Sequence, residues 1–93
     1  MKAFWKGQLI AESDDIVIVE DNPYFPVTSL NLQYFKSGNT TSIGPWKGTA
    51  SYYSIEVSGE VNNDAAWHYP APKDAVKNIA GRVAFWRGVV IVS

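Results

Sequence analysis

Apolar positions in this chain recur mostly at a period of two, in short runs separated by turn residues. Lys2–Trp5 and Gln8–Glu12 flank Lys6-Gly7, which predicts a two-residue hairpin. Ser13-Asp14-Asp15 is turn chemistry, because short polar side chains bond to their own backbone. Ile16-Val17-Ile18-Val19 follows, four β-branched residues whose stiff χ1 favours a strand. The unbroken run predicts burial on both faces. Tyr24-Phe25-Pro26 is apolar but bracketed by prolines, which predicts an ordered crossing rather than a ladder strand. Leu30, Leu32 and Tyr34 alternate with Asn31 and Gln33, as in a half-buried strand. Thr40–Ile43 returns as a strand after the turn Ser37-Gly38-Asn39.

In Ala50–Val57, Ser51, Tyr53, Ile55 and Val57 share one face, and Tyr52, Ser54 and Glu56 share the other. Ser58-Gly59 is a hairpin turn. Glu60–Asn62 and Ala65–Tyr69 are strand-like pieces interrupted at Asn62-Asn63-Asp64. Lys73–Ala80 is the one short helix. Asp74 lies in its first turn, Ala75, Val76, Ile79 and Ala80 form its apolar stripe, and Gly81 sits at the C-cap. Arg82–Trp86 and Val89–Val92 flank Arg87-Gly88 as a last hairpin. No repeat or linker divides the chain, so a single domain over 1–93, mainly β and mostly antiparallel, is expected.

Composition changes the picture in one respect. A domain of 93 residues buries a modest share of its surface and needs dense apolar side chains or staples. Cysteine is absent, so there is no disulfide and no thiolate metal site. His68 is the single histidine, so no metal is expected to bind. Four Trp, five Tyr and four Phe supply the burial instead. The net charge is −1 and the basic residues are dispersed, which disfavours nucleic acid as a partner. No apolar run approaches the ~20 residues of a membrane span, and Met1–Lys6 opens no export signal. The expected setting is cytoplasmic, with no membrane contact.

The candidate chemistry is aromatic. Gly44-Pro45-Trp46-Lys47-Gly48 reads as a rigid loop at the mouth of a cleft. Trp46 would be its stacking face and Lys47 its point charge; the alternative is an aromatic plug with Lys47 solvated. Tyr52 points away from the core face of its strand, toward a pocket or water. Trp67 and Tyr69 share a face, with His68 on the opposite one. Asp64 has three readings: it orients a ligand hydroxyl, pairs with Lys47 or caps its own turn. A lone His68 without a visible partner reads as structural, and Arg82 and Arg87 read as solubilising residues at a hairpin edge. No phosphate-binding, nucleophile-elbow or zinc-protease motif occurs.

Pro45-Trp46-Lys47-Gly48, Ala50-Ser51-Tyr52-Tyr53, Asp64-Ala65-Ala66-Trp67, Tyr69-Pro70, Ile79-Ala80-Gly81 and Val83-Ala84-Phe85 occur in that order. Together with Ala11-Glu12-Ser13 and Tyr24-Phe25-Pro26, they make the chain resemble the domain of unknown function 427 family. Members are small, mostly bacterial proteins. The resemblance implies two packed, mostly antiparallel sheets in a β-tent-like arrangement. Zinc-bearing relatives of that arrangement use two cysteine pairs, which this chain lacks. A cysteine is common in the family just before Pro-Trp-Lys-Gly, where Gly44 stands here. The family is sometimes labelled a nucleotidyltransferase, but the carboxylates that two divalent ions would need are not evident.

These readings converge on a non-enzymatic module that binds a small ligand or a peptide in an aromatic-walled pocket without a cofactor. Trp46, Lys47, Tyr52, Asp64, Trp67 and Tyr69 are expected to form that pocket. Two alternatives are carried alongside. One is a transferase using Lys47 for phosphate and Asp64 or His68 as acid or base. The other is a homodimer or protein-interaction domain with the surplus aromatics at its interface.

Overall fold

The computed structural model describes residues 1–93. Nine strands form two antiparallel sheets. The smaller sheet has the order β2 (Gln8–Glu12), β1 (Lys2–Trp5), β9 (Val90–Val92). The larger runs β3 (Val17–Val19), β4 (Asn22–Pro26), β8 (Arg82–Phe85), β7 (Glu60–His68), β6 (Gly48–Val57), β5 (Phe35–Gly44). No helix is long and apolar enough to cross a membrane.

Alternation along the central strands buries both faces of the larger sheet. Phe25, Ile55, Val83 and Phe85 face the smaller sheet and pack with its Ala3, Ile10 and Ala11. Fully burying a side chain such as Phe25 contributes roughly 1.5–3 kcal/mol. Tyr24 and Ala84, one residue away on the same strands, face the other side. There they meet Val76 and Ile79 of the segment Asp74–Ile79.

Several local expectations change. The helix at Lys73–Ala80 is a 3₁₀ segment, Asp74–Ile79, kinked at Val76 and without a side-chain cap. Val76 and Ile79 are buried while Ala75 and Ala80 are exposed. A spacing of three stacks residues on one side of a 3₁₀ turn, whereas the wider α-helical stripe has nothing to cover it. Tyr24 and Phe25 lie in a ladder strand, with Pro23 and Pro26 tolerated near its ends. β3 is an edge strand and Ile18 is 58% exposed, so the run Ile16–Val19 is not buried on both faces. Leu32–Tyr34 is a 3₁₀ turn. Asn31 N–H donates to the Ile10 carbonyl at 2.8 Å, tethering this turn to β2.

Asn62–Asp64 does not interrupt β7 but forms a bulge within it. Asp64 has φ 54°, its N–H donates to Ser54 Oγ at 3.0 Å, and the register against β6 shifts there. Arg87-Gly88 is a turn but not a hairpin. It carries the chain from β8 in the larger sheet to β9, which pairs with β1 in the smaller one.

Candidate functional site

Tyr52 on β6 is paired with Trp67 on β7, and Trp67 in turn with Ala84 on β8. These three form one row on the sheet face away from the smaller sheet. The small Ala84 side chain lets the Trp67 indole cross β8 to β4. There its Nε1–H donates to the Tyr24 phenolic oxygen at 3.1 Å, with the rings edge to face. Trp86, two residues after Ala84, comes up on the same face. It meets Trp67 at 5.8 Å, nearly perpendicular, and Tyr52 at 6.3 Å.

The β7 bulge fixes Trp86. Its indole N–H donates to the Asp64 carbonyl at 2.6 Å and its backbone N–H to the Ala65 carbonyl at 3.0 Å. The Arg87 guanidinium covers the outer indole face at 4.5 Å and donates to the Asn63 carbonyl.

Lys47 arrives from the β5–β6 turn. That turn is pinned by the crossing after β7: Lys73 N–H donates to the Lys47 carbonyl at 3.0 Å and Lys73 Nζ to the Pro45 carbonyl at 2.8 Å. Gly48 has φ 110°, which strains any residue with a Cβ, and a Cβ there would also stand a tight 3.2 Å from the Ala71 carbonyl oxygen. The Lys47 side chain is only 14% exposed and its Nζ forms an ion pair with Glu20 on the β3–β4 turn.

Lys47, Tyr52, Trp67, Tyr69 and Trp86 line an open pocket of about 160 Å³. Burial pushes the Tyr69 phenol above its usual range, and the neighbouring Tyr24 and Tyr52 phenols push it further. The Tyr52 hydroxyl is 3.0 Å from Ser42 Oγ. Two phenolic hydroxyls, π faces and one ion-paired ammonium therefore line the pocket.

Four of the six residues expected from sequence are brought together, and two are not. Trp46 lies outside the lining and is 43% exposed, with Lys47 Nζ 5.1 Å from its ring centroid. Asp64 turns its carboxylate to β5, accepting from Asn39 N–H at 3.1 Å and Thr40 Oγ1 at 2.7 Å. It therefore organises the bulge and a neighbouring strand. His68 lies on the opposite face, stacked on Tyr53 at 4.6 Å, and burial lowers its pKa. Arg82 is tied to Asp15 rather than solvated, and Arg87 to the bulge.

Trp86 is the lining residue that sequence reasoning missed. The one local signal was its alternation with Ala84; that Ala84 shares a face with Trp67 follows only from the pairing of β7 with β8.

No curated protein matches the chain. The family model described as Domain of unknown function (DUF427) matches residues 1–92, which takes in every strand of both sheets and every residue of the pocket. The chain belongs to the DUF427 family.

Proposed function

We propose that this protein is a non-enzymatic binding module that takes one small ring, free or as a peptide side chain, between Tyr52, Trp67, Tyr69 and Trp86. The observation that carries this reading is the convergence of four aromatic side chains from three chain segments around one open pocket. Clefts for drug-sized ligands run to roughly 300–1,000 Å³. A pocket of about 160 Å³ suits a single ring with a small substituent. The indole N–H groups of Trp67 and Trp86 are already engaged, so these rings are held in place before a ligand arrives. A transferase reading finds less support, because Asp64 is committed to Asn39 and Thr40 and His68 faces the other side of the sheet.

The test is ligand-detected NMR against a set of single-ring compounds of neutral, anionic and cationic character, with wild-type protein and Trp67→Leu. Saturable binding that Trp67→Leu weakens supports the reading. Absence of binding across the set, or binding indifferent to Trp67, overturns it.

A further inference from the structure

Lys47 is the only charged residue lining the pocket, and its partner is not part of the lining. Building on the aromatic-pocket reading, we infer that the pocket selects a planar ligand bearing an anionic group. In this arrangement Glu20 holds the position that the ligand's anion would take on Lys47.

Three observations carry this. First, the Lys47 side chain is largely withdrawn from water at 14% exposure, while the Glu20 side chain is 49% exposed. An ammonium in such a place attracts an anion more strongly than one in bulk water. Glu20 is the more exposed partner, so its carboxylate is the one free to turn to solvent when another anion takes Lys47.

Second, the turn that carries Glu20 onto Lys47 departs from the chain's other turns at its second position. Lys6-Gly7, Ser58-Gly59 and Arg87-Gly88 are two-residue turns with positive φ at both positions, and each has glycine second. Glu20-Asp21 makes the same kind of turn, at φ 52° and 66°, with no glycine. Glu20 matches Lys6, Ser58 and Arg87 in the first position, and Asp21 stands where the others have glycine, a place Asp tolerates less easily than Gly. A turn that glycine or asparagine would make more easily instead carries a carboxylate onto the pocket's lysine.

Third, the aromatic walls alone would also suit a quaternary ammonium. The Lys47 ammonium in the same lining repels a cation and so favours an anion.

The test is calorimetric titration with benzoate, phenyl phosphate, benzamide and benzyltrimethylammonium. Benzoate and phenyl phosphate are expected to bind about tenfold more tightly than benzamide, since each gains a charge-assisted contact. Glu20→Gln removes the competing carboxylate from a half-exposed turn. It is expected to tighten both anions by about threefold or more while leaving benzamide unchanged. Lys47→Gln is expected to erase the anion preference, so that benzoate and phenyl phosphate no longer bind more tightly than benzamide. Circular dichroism and thermal melts verify folding, and Glu20→Gln with wild type decides the matter if Lys47→Gln fails to fold.

Equal binding of benzoate and benzamide, unchanged or weaker anion binding in Glu20→Gln, or preference for benzyltrimethylammonium overturns the inference. Each of those results leaves the aromatic pocket standing. Binding of none of the four overturns the pocket reading and this inference with it.

Discussion

The Trp67 indole N–H donates to the Tyr24 hydroxyl across an intervening strand, joining β7 to β4 over Ala84. The bond ties a pocket wall to a fully buried residue of the second core cluster. Tyr24→Phe keeps the ring and removes the acceptor. A loss of about 0.5–1.5 kcal/mol in denaturant-unfolding stability is expected, the net worth of one hydrogen bond. Unchanged stability would mean that the bond does not anchor the wall.

Ala84 is fully buried beneath that crossing. Ala84→Leu is expected to cost about 1–3 kcal/mol, as overpacking does. It should also raise the mobility of Trp67, read as a change in tryptophan fluorescence anisotropy. Ala84→Gly would leave the indole in place and serves as the control.

Gly38 lies where β5 passes the bulge. A Cβ there would come within 2.4 Å of Asp64 Oδ1 and 2.5 Å of the Tyr52 carbonyl oxygen. One of these contacts is backbone and cannot yield cheaply. Gly38→Ala is therefore expected to destabilise by about 1–3 kcal/mol in chemical denaturation. It should also disturb Tyr52, whose carbonyl is the atom struck.

His68 gives the fold a pH dependence with a defined sign. Burial lowers its pKa in the folded state below the ordinary value of 6.5. The unfolded chain therefore binds the proton more readily. The stability associated with neutral His68 is complete above the unfolded value. It declines as pH falls below that value and is gone once pH passes the folded one. Melting temperature is expected to drop across this acidic window, and His68→Gln should flatten that part of the profile. An unaltered profile in His68→Gln would contradict the assignment.

What could be read from the sequence follows the range of the physics. Lys6-Gly7 and Ser58-Gly59 mark hairpins through backbone demands confined to two residues, and both hairpins form. The separation of Tyr52 from Tyr53, and of Trp67 from His68, follows from alternation alone. The β7 bulge was not legible, because it depends on Ser54 meeting Asp64 from another strand. For the same reason Asp64 looked like a pocket residue when its carboxylate serves β5. Trp86 depended on the pairing of Ala84 with Trp67, a register that local pattern does not encode. Lys47 was legible as a charge near aromatics. Its partner Glu20 lies on a turn whose strands are placed by the order of the whole sheet.

On the proposed binding reading, Trp67 and Trp86 face a ligand and Trp5 does not. The four tryptophans provide separate indole N–H signals in a ¹⁵N-resolved NMR spectrum. Titration with benzoate and with benzamide is expected to shift the signals of Trp67 and Trp86 saturably, leaving that of Trp5, packed against the core, in place. Shifts confined to Trp5 or Trp46, or no shift with either compound, would contradict a pocket walled by Trp67 and Trp86.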